Sequence, residues 1–192
     1  MNRTSNKKVQ LMAVVGMLAA LVFIFTYFGI DIPSPLGKTK IHFGNIMCLL
    51  SGLLFGGLPG GLAAGIGSAL FDLMDPAWAP EFWITFINKF CMGFVAGIMM
   101  QKLPLQSKGL RATIAALSGA FTYNVLYIVK NILSGHLVKG FEWGVAVTET
   151  LTVKLPVTLV NSLIAVVCAV LLAMALRPAL QKAGLFRENM TQ

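Results

Sequence analysis

The sequence predicts an all-α fold: a polytopic membrane protein with six transmembrane helices, both termini in the cytoplasm, and a single integral membrane domain over residues 1–192. The first supporting observation is composition, because 57% of the residues are hydrophobic and 11% are charged, against roughly 25% charged residues in soluble globular chains. The second is that apolar residues occur in blocks of about 17–25, the length with which a helix crosses roughly 30 Å of hydrocarbon. A water-soluble protein is therefore excluded.

The first predicted helix occupies residues 9–30. A basic stretch precedes it, as in a secretory signal, but the block is too long for the apolar part of a signal and no A-x-A-like cleavage site follows, so we expect the helix to be retained. A polar connection over residues 31–40 comes next. Three of its residues block continued helix: Pro33, Pro35 and Gly37.

The second apolar block, residues 41–73, is too long for one ordinary span. The run GGLPGG at residues 56–61 interrupts it, which predicts two short helices joined by a tight turn. A longer loop with Gly135, Gly140 and Trp143 is expected before the last helix. The fourth, fifth and sixth helices are predicted at residues 82–100, 112–132 and 149–176.

The distribution of lysine and arginine supports this topology, because cytoplasmic flanks carry the excess of cations. With both termini inside, nine cations are cytoplasmic: Arg3, Lys7, Lys8, Lys102, Lys108, Arg111, Arg177, Lys182 and Arg187. Three are external: Lys38, Lys40 and Lys139. The formal charge of +8 is thus spread by topology rather than gathered on one face, so no nucleic-acid partner is expected.

Small residues recur at helical spacing along several predicted helices. In lipid, such faces let helix backbones approach closely. The pairs Gly52/Gly56, Gly61/Gly65 and Gly93/Gly97 have two interpretations, internal packing or the docking of a partner protein. In the first helix a further small-residue ridge can seat a neighbouring helix, either of this chain or of another. It consists of Ala13, Gly16 and Ala20.

Ionisable and amide side chains at membrane depth are the main functional signal. A charged side chain costs about 2.5–3.5 kcal/mol at the centre of the bilayer, so it normally faces a cavity or a partner. Lys89 is predicted about 10 Å below the outer end of the fourth helix, and polar stripes repeat at spacings of three and four on the last two helices. The predicted substrate-binding residues are Asn88, Lys89, Asn124, Tyr127, Asn131, Lys154 and Asn161, with Trp83 and Trp143 as stacking faces.

Each of these residues also has a simpler interpretation. Trp78, Trp83 and Trp143 are placed where an interfacial aromatic belt is expected. Lys130 can extend its ammonium group to the interface. Asp72 can serve as the structural counter-ion of Lys89, because an unpaired buried charge is costly.

Other chemistries find little support in the sequence. The three cysteines lie inside apolar stretches, and the two histidines are isolated, so we expect no disulfide framework, no metal site and no cofactor. An intramembrane enzyme would need an acid pair or a nucleophile with a base, and none can be assembled from Glu149, Asp72 and His42. The protein is predicted not to be an enzyme.

The order of several segments resembles one membrane-protein family. A basic N-terminus and one helix are followed by a Gly/Pro loop and by LLSGLLFGGLPGGLAAGIGSALFDL, ITFINKFCMGFVAGIM, KLPVTLVNSLIAVVCAVLL and ALRPAL. This arrangement is similar to the S component, the substrate-binding subunit, of energy-coupling factor (ECF) vitamin transporters. The resemblance covers nearly the whole chain.

This resemblance implies high-affinity capture of a water-soluble vitamin or precursor at the outer face of the plasma membrane, under the first, third and fifth loops. It also implies a transmembrane coupling protein and two cytoplasmic ATPases as partners, with toppling of the subunit to release its cargo. The family's Ala-x-x-x-Ala contact motif for the coupling protein corresponds here to Ala13, Gly16 and Ala20. No Walker-type motif is present, so energy must come from partners or from a gradient.

The sequence allows more than one class of ligand and one alternative function. Nearby lysines favour a carboxylate, a phosphate or an electron-rich heterocycle over a cation such as thiamine. The alternative is a stand-alone secondary transporter or small channel, which Asp72 and Lys89 inside the membrane would suit.

Overall fold

The computed structural model describes residues 3–34 and 37–182, and within them it describes the side chains of residues 9–34 and 38–182. The side chains of Arg3, Lys7 and Lys8, and the whole of Pro35, Arg187 and Glu188, lie outside the described residues. The described chain forms five long helices, one shorter helix and one β-hairpin. Their bounds are α1 Arg3–Tyr27, β1 Gly29–Ser34, β2 Gly37–His42, α2 Gly44–Phe55, α3 Gly57–Met74, α4 Phe82–Lys102, α5 Lys108–Leu133 and α6 Trp143–Lys182.

The helical membrane fold predicted from the sequence is confirmed. Within the described residues, five of the helices are long and apolar enough to cross a membrane, and α2 is shorter. With 12 residues, α2 spans only about 18 Å at 1.5 Å per residue. The predicted break in the second apolar block is also present, because Gly56 separates α2 from α3 with a positive φ of 86°, a conformation that glycine adopts readily.

The connection predicted as a polar loop is instead an antiparallel hairpin. Strands β1 and β2 pair from Gly29 opposite His42 to Ser34 opposite Gly37. Pro33 is accommodated because a two-stranded sheet leaves both strands with an unpaired edge. Within residues 3–34 and 37–182, the all-α prediction needs correcting at this hairpin.

Glycine contacts between α2, α3 and α4 favour internal packing for the predicted small-residue pairs. A Cβ added at Gly52 would meet the carbonyl oxygen of Gly93, and one added at Gly97 would meet the backbone of Gly56. Gly61 packs in the same way against Phe90 of α4, with Phe90 O 2.9 Å from such a Cβ. These helices therefore approach at backbone distance, as small residues permit in lipid.

Helix α2 lies at the centre of the bundle, and all twelve of its residues are buried. It begins deep, because Asn45 in its first turn contacts Lys89, which is seven residues, or about 10 Å, into α4. The hairpin occupies the space above this recessed start. Helix α6 begins at Trp143, six residues earlier than residue 149, and contains a π-helical turn at Thr150–Lys154.

Candidate functional site

A polar cavity lies between the hairpin, the recessed start of α2 and the adjoining ends of the long helices. Its volume is about 70 Å³. Within the described part of the chain it is lined by Thr26, Thr39, Lys40, His42, Ser68, Phe71, Asp72, Trp78, Thr85, Asn88, Lys89, Tyr123, Tyr127, Lys130, Thr158 and Asn161. Every helix except α2 contributes a lining residue, and β2 and the α3–α4 loop contribute the others.

Lys89 forms the floor of this cavity. It is only 4% exposed, its ammonium group donates to Asn45 Oδ1, and Nζ lies 3.9 Å from the ring centroid of Tyr123. The carboxylate of Asp72 lines the same cavity and interacts electrostatically with Lys89. Hydrogen bonding, an aromatic face and a nearby carboxylate are the partners that make a buried ammonium tolerable.

The side chain of Asn161 in α6 makes two hydrogen bonds to strand β2 of the hairpin. The amide of Asn161 donates to the carbonyl oxygen of Lys40 at 2.8 Å and accepts from the backbone N–H of His42 at 3.1 Å. A second contact comes from α5, where the hydroxyls of Tyr127 and Thr39 lie 3.2 Å apart. Strand β2 is thus fixed over the cavity by side chains that themselves line it.

Ion pairs fasten the outer part of the hairpin. Lys38 Nζ lies 3.0 Å from Asp31 of β1 and 3.0 Å from Asp75 in the α3–α4 loop. Hydrogen bonds to these two carboxylates raise the pKa of Lys38. Partial burial acts to raise the pKa of Asp75, but hydrogen bonds from the Ala77 N–H and from Lys38 outweigh it and lower that pKa. Ser34, at the end of β1, donates to the buried Glu149 of α6.

Lys154 lies beside the cavity rather than on its lining. Its ammonium group donates to Asn131 Oδ1 at 2.8 Å, and Asn131 Nδ2 donates to the carbonyl oxygen of Tyr127 at 2.8 Å. Lys154 is 3% exposed and lies in the π-helical turn of α6. Such turns occur frequently at functional sites. Lys154 is therefore connected to the cavity through Asn131 and Tyr127.

The predicted binding residues fall into three groups. Asn88, Lys89, Tyr127 and Asn161 line the cavity. Lys154 and Asn131 form a hydrogen-bonded pair beside the cavity, and Asn124 lies near them in sequence on α5. The side chain of Asn124 accepts hydrogen bonds from two hydroxyls of α6, those of Thr158 at 2.9 Å and Ser162 at 2.8 Å. Trp83 and Trp143 lie outside the lining described above and are 54% and 52% exposed.

The two exposed tryptophans occupy positions that suit an interfacial belt. Trp83 is in the first turn of α4. Trp143 is the first residue of α6, and its ring packs edge-on against that of His136, with ring centroids 5.2 Å apart. Their stacking role stays a prediction. The tryptophan that lines the cavity is Trp78, from the α3–α4 loop, whose indole nitrogen is buried without a hydrogen-bond partner.

Sequence reasoning missed most of the contribution from the hairpin. Thr39, Lys40 and His42 line the cavity, and all three belong to β2. The available signal was the alternation of β-branched and polar residues in Ile30-Asp31-Ile32 and Thr39-Lys40-Ile41, which is typical of strands. Two prolines and a glycine in the same stretch obscured it.

The small-residue ridge on α1 faces away from the bundle. Ala13, Gly16 and Ala20 are exposed, and a Cβ added at Gly16 would meet nothing within 4 Å. The opposite face of α1 is buried against α3, where Gly67 packs against Ala19 and Val22. Within the described residues, no other element of the chain covers the ridge.

The cavity can bind a small polar molecule through neutral and cationic donors and aromatic faces. In the described part of the chain, no group of three or more His, Cys, Asp or Glu side chains could hold a metal ion. The fold defines a class of protein: a multi-pass helical membrane protein with a polar cavity near one end of its bundle.

Comparison with known proteins identifies the family. The family model for the ECF-type riboflavin transporter, S component, matches residues 6–178. The chain belongs to this family, whose members are substrate-binding subunits of ECF transporters. No curated protein sequence matches the chain.

A solved structure, that of the S component of a bacterial ECF transporter, has a similar fold. The TM-score is 0.57 at 19% sequence identity, and the match covers 90% of this chain and 98% of that chain. At this identity the likeness concerns the fold alone. It agrees with the helical bundle described above.

Proposed function

We propose that this chain is the riboflavin-binding subunit of an ECF-type importer in the plasma membrane, with both termini in the cytoplasm. The observation that carries the proposal is the family match over residues 6–178, a range that includes every residue lining the cavity. The positive-inside distribution of cations supports an outward-facing hairpin and cavity.

The cavity chemistry suits riboflavin. The vitamin has a planar ring with carbonyl oxygens and acceptor nitrogens, a ring N–H, and a polyhydroxyl chain. Lys89 and the indole N–H of Trp78 would donate to ring acceptors, and Asn88, Thr39 and Asn161 can exchange hydrogen bonds with hydroxyls. The lysines favoured a carboxylate, a phosphate or an electron-rich heterocycle as ligand. Riboflavin belongs to the third class, because it is a heterocycle without carboxylate or phosphate.

Binding requires the hairpin to move. The cavity measures about 70 Å³, whereas pockets for drug-sized ligands have about 300–1,000 Å³. The hairpin is held by side-chain contacts and not by a packed core, so it is the element that can lift without unfolding the bundle. Opening would admit the vitamin, and the contacts from Asn161 and Tyr127 would re-form over it.

Transport would depend on partners. The exposed ridge of Ala13, Gly16 and Ala20 is a surface against which a helix of the transmembrane coupling protein can pack closely, and two ATPases would supply the energy. Release of the vitamin inside would follow toppling of the subunit in the membrane.

The direct test is to identify what the purified protein retains and binds. The chain is purified in detergent, and its small molecules are extracted and analysed by mass spectrometry. Calorimetric titrations of ligand-free protein with riboflavin, thiamine and biotin follow. We expect riboflavin to be retained and to bind most tightly. Preferential binding of thiamine or biotin, or no riboflavin binding by folded protein, would overturn the proposal.

The stand-alone transporter alternative has its own test. Vesicles containing this chain alone are given an ion gradient and riboflavin, without ATP or partner proteins. We expect binding without accumulation. Gradient-driven accumulation would favour the alternative.

A further inference from the structure

A second and larger cavity lies at the end of the bundle opposite the hairpin. Its volume is about 280 Å³. Its wall is built from the last turns of α2 and α4, the first turn of α5 and the last part of α6. The cation distribution predicts that this end faces the cytoplasm. None of its lining residues belongs to the proposed riboflavin site.

The described lining of this cavity contains cationic side chains but no acidic ones. Lys108, Arg111 and Arg177 contribute to it, and no Asp or Glu is among its described residues. The described acidic residues all lie at the hairpin end of the bundle: Asp31, Asp72, Asp75, Glu81, Glu142 and Glu149. The described lining of this cavity therefore contains cationic side chains and no carboxylate.

Backbone contacts hold the two guanidinium groups at the cavity wall. Arg111 donates to the carbonyl oxygen of Leu105 through Nε at 3.0 Å and also through Nη2. Arg177 Nη2 donates to the carbonyl oxygen of Leu53 at 2.8 Å. A guanidinium has five N–H donors, so Arg111 retains donor capacity after both contacts with Leu105. A bound anion would meet groups that are already positioned.

The rest of the wall is apolar. Leu54, Phe55, Met100 and Met174 line the same cavity beside the cations. This combination suits a ligand with an anionic head and a hydrocarbon body. Basic pockets between transmembrane helices on the cytoplasmic side are recognised sites for anionic lipid head groups.

We propose that this cavity binds the phosphate-bearing head group of an anionic phospholipid, with an acyl chain against its apolar wall. Guanidinium and ammonium groups bind phosphate through charge-assisted hydrogen bonds. Lipid binding there would join the ends of four helices, α2, α4, α5 and α6, at the cytoplasmic end of the bundle.

The test measures lipid binding to the full chain purified in detergent. Native mass spectrometry and thermal unfolding are followed with added phosphatidylglycerol, phosphatidylcholine or inorganic phosphate. The variants are Lys108→Gln and the double variant Lys108→Gln/Arg111→Gln. The matched control is Lys102→Gln, which removes a cation at the same end that does not line the cavity. Circular dichroism establishes that each variant is folded.

We expect phosphatidylglycerol to bind and to raise the unfolding temperature, and phosphatidylcholine and inorganic phosphate to do neither. Near a membrane surface each cation contributes about fivefold to anionic lipid binding. The single variant should therefore bind about fivefold more weakly and the double variant about 20- to 30-fold, with less than a twofold change for Lys102→Gln. Equal binding of the two lipids, an equal response to inorganic phosphate, or undiminished binding by the folded Lys108→Gln variant would overturn the proposal.

Discussion

Individual polar residues at membrane depth were the part of the site most accessible from the sequence. Asn88, Lys89, Tyr127 and Asn161 were predicted from the cost of placing such groups in hydrocarbon, and all four line the cavity. Trp78 could not be assigned in the same way, because a tryptophan near a helix end is equally expected at the interface. Its place in the cavity depends on the course of the α3–α4 loop, which no helical periodicity specifies.

At the same scale, Lys154 is expected to act by positioning Asn131. Replacing it with methionine keeps an unbranched side chain but leaves Asn131 Oδ1 without its buried donor, which costs about 1–3 kcal/mol of stability. The Lys154→Met variant should therefore unfold at lower temperature, while its riboflavin affinity should fall less than that of a Lys89 variant. Thermal unfolding and riboflavin titration check this. A loss of affinity equal to that of Lys89→Met, without loss of stability, would place Lys154 on the ligand instead.

Among the elements, the hairpin differs most from its sequence-based prediction. Pro33 and Gly37 do end helical structure, as expected, but they do not prevent strands, because each strand of an isolated pair needs hydrogen bonds on one side only. The helices were easier to predict, since long apolar blocks specify them directly. The break at Gly56 was also predictable, because the apolar block that contains it is too long for a single membrane span.

The hairpin is expected to control how quickly ligand leaves. Asn161→Asp removes the donor to the Lys40 carbonyl and places a carboxylate oxygen there, so the closed hairpin is destabilised. We predict a release rate about 5- to 13-fold higher, from the loss of a hydrogen bond of about 1–1.5 kcal/mol. Stopped-flow riboflavin fluorescence measures it.

Asn124→Asp is the matched control for this experiment, because Asn124 joins α5 to α6 through Thr158 and Ser162. Both of these hydrogen bonds join helices and neither reaches β2, and the new carboxylate can still accept from both hydroxyls. Release from this variant should change by less than twofold. An equal acceleration in both variants would mean that general loosening, and not the hairpin, sets the rate.

The whole molecule has two chemically different ends joined by closely packed helices. The hairpin end carries every described carboxylate, several lysines and the small polar cavity, whereas the other end carries the larger cavity and cations without a described carboxylate. The number of helices and the charge asymmetry were predictable from hydropathy and from the positions of Lys and Arg. The outward direction of the α1 ridge was not predictable, because a small-residue face has the same sequence pattern whether the helix packed against it belongs to the same chain or to another.

Assembly with the energising module should depend on that ridge. Gly16→Leu places a bulky side chain in open space, so the fold and riboflavin binding should persist while close packing of a partner helix is blocked. Gly144→Leu is the control, because Gly144 also has nothing within 4 Å but lies at the other end of the bundle. We expect co-purification with the coupling protein and ATPases to be lost for Gly16→Leu alone. Full assembly of that variant would exclude the ridge as the contact.

In the proposed site, the buried Lys89 on the floor of the hairpin-covered cavity binds riboflavin. Titration of riboflavin fluorescence with the parent chain, Lys89→Met and Lys102→Met tests it most directly. Losing a charge-assisted hydrogen bond of about 1.5–3 kcal/mol weakens binding about 10- to 150-fold, so we predict that loss for Lys89→Met and an unchanged affinity for Lys102→Met. Undiminished riboflavin binding by folded Lys89→Met protein would contradict the account.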